Sequence, residues 1–304
     1  MRVAVTGAAG YLGRALCAEL AAQAGVRSVL AIDRLAPQAA WPEKVDFVRC
    51  DVCDPRLAEL LRGCRALAHL AFCLGGGASD AEAHRCDVEG SLAVLGACAR
   101  AGVERIAVAS SVSAYGARPD LPRPIAETQP LGARPGFRYG FHKACQDRLA
   151  AGFAERHPEL AVARLRICTV LGPPPRPGAV SRLLESPVLA LPPGLAVQFV
   201  HVRDAAGAIA LALLRAARGV FHVAAEPAMR GREIAAVTGQ RYLALPAGPL
   251  EGARRLLGLA GLPDPGLGLL CHPIVVDAGK AREALGWAPR FDGPACLRAL
   301  TLTP

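Results

Sequence analysis

The sequence predicts an α/β protein, a doubly wound parallel sheet followed by a smaller, irregular C-terminal unit. Three observations lead there. As far as residue 168, short β-rich runs alternate with longer segments of helical period, the sign of a parallel sheet wrapped by helices. The first run enters the glycine-rich turn Thr6-Gly7-Ala8-Ala9-Gly10-Tyr11-Leu12-Gly13, which opens a helical segment. Beyond residue 169, Pro173, Pro174, Pro175, Pro177, Pro192, Pro193, Pro246, Pro249, Pro263 and Pro265 break the chain into short elements.

The predicted strands are 3–6, 29–32, 45–48, 66–71, 105–110 and 161–167, each rich in Val, Ile, Leu or Ala. Between the first two, Leu12, Leu16 and Leu20 recur at i, i+4 and i+8, one face of a helix. A strand at 199–202, a helix at 205–216 and a strand at 220–224 are regular enough to return to the main sheet. The larger unit is therefore expected over 1–168 with 199–225, and the smaller one over 169–198 and 226–304. No internal repeat or low-complexity tail is visible.

Composition bounds the function. The chain has 304 residues, 52% of them hydrophobic, too much apolar surface to stay disordered. Its 35 Lys+Arg against 26 Asp+Glu give a net charge of +9. That charge is carried by scattered arginines, since Lys44, Lys143 and Lys280 are the only lysines. Without a basic stripe and interleaved aromatics, nucleic acid is not an expected partner. The apolar stretch 205–214 is short and interrupted by Gly207, so no membrane span is expected. Met1 runs directly into Val3-Ala4-Val5 without the basic head and cleavage site of a signal peptide, and the eleven cysteines are an odd number. Both point to reduced thiols and a cytoplasmic location. Cys50 and Cys53 form a CxxC, yet no second pair stands at metal spacing, so no metal is expected.

The glycine turn fits a dinucleotide. Gly7 permits the tight turn, Gly10 a close approach to pyrophosphate, and Gly13 close packing of helix on strand. Ala9, Tyr11 and Leu12 complete that loop, whose N–H groups and helix dipole favour phosphate. Asp33 ends the second strand, twenty residues after Gly13, where a carboxylate accepts hydrogen bonds from a ribose. A carboxylate repels a 2′-phosphate and so favours NAD over NADP; Arg34 can stack on adenine or pair with that phosphate. Asp51, ending the third strand, is placed to bond the adenine amino group.

Tyr139-Gly140-Phe141-His142-Lys143 sets a phenol and an ammonium four residues apart on one helix face. A nearby cation stabilises phenolate, which a free tyrosine forms only near pH 10. Upstream, Ser110-Ser111-Val112-Ser113-Ala114-Tyr115-Gly116 ends the fifth strand, and such sheets bind ligands beyond their carboxyl edge.

In these residues together the chain resembles the short-chain dehydrogenase/reductase superfamily, in its extended branch, the NAD-dependent epimerase/dehydratase family. The resemblance also covers Asp51-Val52, His69-Leu70-Ala71, Gly172-Pro173, the segment from Phe199 to Asp204, and Leu285-Gly286-Trp287-Ala288-Pro289. It implies a Rossmann-type dinucleotide-binding domain and a C-terminal substrate-binding domain. It implies Tyr139 as acid/base, Lys143 as the group that binds the nicotinamide ribose and tunes Tyr139, and Ser111, with Ser113 as the alternative, as the residue that positions the reacting oxygen. Val52, Leu70 and Ala71 join the cofactor set, and Phe72, Ser113, Thr169, Gln198 and His201 form the expected substrate set. A homodimer is implied too, through Leu92, Leu95 and Cys98 on one helix and Leu149 and Phe153 on another.

Departures narrow the chemistry. Sugar dehydratases of the family carry an Asp-Glu pair after the active-site hydroxyl residue, where this chain has Val112 and Ser113. Asp87 and Thr169 stand where the family has asparagines. Gln198 and Cys271-His272-Pro273 stand where nucleotide-sugar members carry arginines. The expected function is hydride transfer between NAD(P) and a secondary alcohol or ketone of a sugar or nucleotide sugar. The alternatives are a ketoreductase of a smaller carbonyl compound and, in another class, a non-catalytic dinucleotide-sensing regulator.

Overall fold

The computed structural model describes residues 1–37, 39–74, 78–173, 179–259 and 267–301. Its strands are β1 (Arg2–Thr6), β2 (Ser28–Asp33), β3 (Val45–Arg49), β4 (Ala66–His69), β5 (Arg105–Ser111), β6 (Ala161–Ile167), β7 (Thr169–Leu171), β8 (Val188–Leu191), β9 (Ala196–Val197), β10 (Phe199–His201) and β11 (Gly219–Val223). Its helices include α1 (Tyr11–Ala22), α2 (Leu57–Leu60), α3 (Asp80–His84), α4 (Gly90–Ala101), α5 (Arg138–Arg156), α6 (Ala179–Glu185), α7 (Val202–Leu214), α8 (Gly231–Thr238), α9 (Ala247–Leu259) and α10 (Leu267–Cys271).

Seven strands form one sheet in the order β11-β6-β5-β4-β1-β2-β3, with every neighbouring pair parallel. Strand β1 lies between β2 and β4, and its Val3, Ala4 and Val5 are fully buried. A strand covered on both faces needs apolar residues without alternation, which is what these positions supply. On one face Val3 and Val5 pack in a cluster with Leu16 and Leu20 of α1 and Ile209 and Leu213 of α7. The other face joins Ala4, Leu30 and Leu67 to Leu57, Val94, Leu95 and Phe153. A third cluster, including Leu189, Leu191, Phe199, Met229 and Leu297, is the core of the C-terminal unit.

Three expectations are corrected. The segment from Phe199 does not join the main sheet: after Ile167 the chain leaves it, β7 follows, and β10 pairs with β7 in a separate parallel ladder. Only α7, packed with α1, and β11, paired with β6, return. Strand β4 stops at His69, because Leu70 and Ala71 turn across Gly7; a Cβ on Gly7, whose φ is +71°, would lie 2.5 Å from the Ala71 nitrogen. Finally, Leu95, Cys98 and Phe153 are 1%, 0% and 5% exposed and face the sheet, leaving Leu92 as the exposed apolar member of the expected dimer face and Leu149 as a partly buried one. Pro174, Pro175, Pro177, Pro263 and Pro265 lie outside the described residues.

A buried ionic network fixes α5 to the carboxyl ends of β5 and β6. Asp147, fully buried, accepts hydrogen bonds from Ser110 Oγ at 2.7 Å, Arg166 Nε at 2.9 Å and Arg164 Nη1 at 3.1 Å. Burial alone would raise the carboxyl pKa, but these donors hold it below the ordinary carboxylate value. Arg166 also donates to Tyr115 Oη at 2.7 Å, and Tyr115 meets His222 Nε2 at 2.6 Å. Because His222 Nδ1 faces the Asp277 carbonyl at 2.8 Å, the neutral ring carries its proton there and accepts at Nε2 from the phenol. Burial keeps His222 neutral by lowering its pKa.

Candidate active site

The carboxyl edge of the sheet opens into a cavity of about 360 Å³ lined by the glycine turn, Asp33, Arg34, Asp51, Val52, the segment 70–74, and Tyr139 and Lys143. It lies where the strand order reverses between β1 and β4, the usual place for a ligand in such a sheet. Gly13 is required by close packing: a Cβ there would fall 2.1 Å from the Gly7 carbonyl. Gly10 caps α1 without a side-chain bond, so the first N–H groups of a 12-residue helix face the cavity end. Tyr11 Oη donates to the Gly172 carbonyl at 2.6 Å, and Leu12 and Gly13 line the wall.

Asp33 does more than border the cavity. Its Oδ2 accepts the Ala9 N–H at 3.0 Å and its Oδ1 the Leu35 N–H at 3.0 Å, so one carboxylate ties the end of β2 to the glycine turn. Asp51 makes a local turn by accepting the Cys53 N–H at 2.8 Å. The CxxC thiols donate to carbonyls, Cys50 to Asp51 at 3.3 Å and Cys53 to Arg85 at 3.5 Å.

On α5, Tyr139 and Lys143 both reach the cavity, as their spacing predicts. The Phe72 ring stands edge-on to Tyr139 with centroids 5.5 Å apart, while Lys143 Nζ lies 3.9 Å from the same ring centre. The helix begins against the turn 112–115: a Cβ on Gly140 would approach the Ser113 carbonyl to 2.7 Å. Ser111 Oγ accepts the Ser113 N–H at 3.1 Å, which shapes that turn.

Lys143, 5% exposed, heads a chain of buried polar groups. It donates to the Ala109 carbonyl at 2.6 Å and to Gln146 Oε1 at 3.0 Å. Gln146 donates to Ser91 Oγ at 3.0 Å, and Ser91 donates to the Asp87 carbonyl at 2.6 Å. Since the Ser91 proton is thus used, His69 donates from Nε2 to Ser91 Oγ at 2.9 Å and accepts at Nδ1 from Thr6 Oγ1 at 2.8 Å. Burial, aided by the Lys143 charge, pushes the His69 pKa down to about 3, so the ring is neutral as this pattern requires. Asp87 itself is buried; it accepts the Cys73 N–H at 2.6 Å and pairs with His142 Nδ1 at 2.9 Å, clamping the segment that carries Phe72 to α5.

Two expected substrate residues are spent elsewhere. Gln198, 4% exposed, accepts the Val276 N–H at 2.8 Å and donates to the Val276 carbonyl at 3.0 Å, a clamp between distant segments. His201 is 3% exposed, accepts the Arg203 N–H as the cap of α7, and stacks on Phe291 with centroids 3.9 Å apart. Thr169 starts β7 beside Val170, which does line the cavity. The expected set omits Ala109, Ser110, Ile167 and Cys168, all in the wall. Their signal is positional, since they end β5 and β6, and a sheet of this kind binds at its strand ends.

A glycine turn at the first βα junction, an acidic residue ending β2 and a Tyr-Lys pair over the cavity define an enzyme of the extended short-chain dehydrogenase/reductase type. Residues 3–224 match the model of the NAD dependent epimerase/dehydratase family, and the chain belongs to it. The cofactor of that family is NAD. A UDP-glucose 4-epimerase of Azospirillum brasilense is 30% identical over 330 residues, covering 96% of this chain and 88% of that protein. The solved structure of MoeE5 in complex with UDP-glucuronic acid and NAD is 28% identical, with a TM-score of 0.77, and the match covers 98% of this chain and 97% of that one. A 4-hydroxy-2-methyl-3-oxo-4-farnesyl-3,4-dihydroquinoline-1-oxide ketoreductase of Stigmatella aurantiaca is 34% identical over 155 residues, 49% of this chain and 45% of that protein. No helix among the described residues is long and apolar enough to cross a membrane.

Proposed function

We propose that the chain is an NAD-dependent epimerase that removes and returns hydrogen at a secondary alcohol of a nucleotide sugar. The observation that carries the reading is the Tyr139–Lys143 pair opening into one cavity with the glycine turn and Asp33. The cavity fits the cofactor on its own geometry. Gly7 and Gly13 leave a cradle that a Cβ would fill, and α1 points its uncapped N-terminus at the phosphate end. NAD, held by the glycine turn and Asp33, would supply a reversible hydride acceptor. Tyr139 takes the hydroxyl proton and gives it back; Lys143, beside it on the same face, favours the phenolate. Ser111, at the end of β5 beside the turn that packs on α5, holds the reacting oxygen. Val112 and Ser113, in place of an Asp-Glu pair, argue against water elimination.

A second reading, a ketoreductase, is favoured by the use of Gln198 as an internal clamp where nucleotide-sugar members carry an arginine. Denaturing the purified protein and identifying the released nucleotide distinguishes the two. The epimerase reading expects retained NAD, since the cofactor is regenerated in each cycle. An empty site that binds NADPH on addition contradicts it and supports the reductase.

A further inference from the structure

A second cavity, of about 500 Å³, borders the loop that enters the helix carrying Tyr139, and it is lined by arginines from three separate segments. Its walls are the loop after the 112–115 turn, the loop entering α5, and the α9–α10 pair. Arg118, Arg134 and Arg254 contribute one guanidinium each. Phe137 also lines it, and the Phe137 ring stands 6.2 Å from that of Tyr139, centroid to centroid. One wall residue of this cavity and one of the catalytic cavity are thus in aromatic contact.

The three arginines differ in how far the protein's own groups engage them. Arg118 packs flat against Gly132, where a Cβ would meet its guanidinium carbon at 2.9 Å, so the glycine makes room for the head group. Its Nε is buried with no hydrogen-bond partner among the described residues. The nearest anion is Asp120 Oδ1 at 3.6 Å, on an exposed side chain that also borders the cavity. Arg134 is exposed and forms no ion pair among the described residues. Arg254 is tethered by Glu251, which also faces Arg255 and His272. The Arg254 hydrogen bond and neighbouring cations push the Glu251 pKa down to about 2, and its single charge is shared among several cations. With one acidic residue among the lining, the walls keep an excess of positive charge.

We infer that this cavity binds an anionic group, carboxylate or phosphate, of the substrate whose alcohol reacts at Tyr139. The inference rests on the proposed function and adds the place where the anionic group of such a substrate is bound. It also explains the departures in sequence: where other members carry arginines this chain has Gln198 and Cys271-His272-Pro273, and the cationic groups come instead from Arg118, Arg134 and Arg254. Guanidinium forks suit either oxyanion.

Calorimetric titration of the NAD-loaded protein with inorganic pyrophosphate, glucose 1-phosphate and glucuronate tests it. At least one of the three is expected to bind, and Arg134→Glu to weaken that binding on the order of tenfold or more with NAD affinity unchanged. Arg254→Ala is expected to act in the same direction. If that variant fails to fold, the exposed Arg134 still gives the answer. Binding of glucuronate alone identifies a carboxylate, and binding of the phosphates alone identifies a phosphate. No binding by any of the three, or equal affinity in wild type and Arg134→Glu, overturns the inference. Loss of the proposed function has a different signature, a Tyr139→Phe variant with undiminished turnover, and leaves anion binding untouched.

Discussion

Asp33 both shapes a loop and borders the cavity, where the proposed function gives it a ligand to hold. Its carboxylate already accepts the N–H groups of Ala9 and Leu35, so it holds the glycine turn in shape while facing the cavity. Replacing it with alanine removes the acceptor for a ribose and the repulsion of a 2′-phosphate. NAD affinity should fall by about 1–3 kcal/mol, the cost of unpairing a charged hydrogen bond, and the preference for NAD over NADP should shrink. Fluorescence titration of both reduced cofactors measures this; unchanged affinities would remove Asp33 from the site. Gln198 and His201 mark the opposite case. Both stand in motif positions associated with substrate, yet Gln198 has both of its side-chain polar atoms, and His201 its Nδ1, occupied by backbone groups. A sequence pattern locates such residues but not the direction of their side chains, because that depends on segments as remote as Val276.

Among elements, the strands of the sheet were legible to within a residue or two, because the inner ones are buried on both faces and read as apolar runs, and the edge strand β3 still carries Val45, Phe47 and Val48. The exception is informative: 66–71 reads as one strand, but its last two residues bend across Gly7 to form cavity wall. What joins β1, β4, α4 and α5 is the chain Thr6–His69–Ser91–Gln146–Lys143, and no periodicity announces it. It has a consequence in acid. In the folded protein His69 has its pKa lowered from 6.5 to about 3, so between those values the unfolded chain binds a proton that the folded chain does not. Stability from this group is present above pH 6.5 and is lost as pH falls toward 3, at a limiting slope of about 1.4 kcal/mol per pH unit. Asp147, also lowered, adds a loss below the ordinary carboxylate range. Urea unfolding across this range should show the decline in the wild type and a shallower one in His69→Gln. A wild-type midpoint that stays constant would show that the buried ring is not held neutral.

At the scale of the molecule, the sheet brings the ends of β1, β2, β4, β5 and β6 to one cavity, and α5 lays Tyr139 and Lys143 over it. The dinucleotide half was readable because its motifs are local: the glycine turn spans eight residues and the Tyr-Lys pair five. The C-terminal unit was not, since its elements are short, β9 having two residues, and it closes through contacts distant in sequence. The second, arginine-lined cavity draws on three such distant segments. The central claim is that Tyr139 moves the alcohol proton while hydride passes to NAD. The most direct measurement is turnover of UDP-glucose and UDP-glucuronic acid by the wild type, Tyr139→Phe and Lys143→Ala, with NAD affinity measured alongside. Tyr139→Phe removes only the phenolic oxygen, so its rate should fall ~100-fold or more with NAD affinity retained, whereas Lys143→Ala should lose both. A Tyr139→Phe protein that turns over substrate at the wild-type rate would contradict the account.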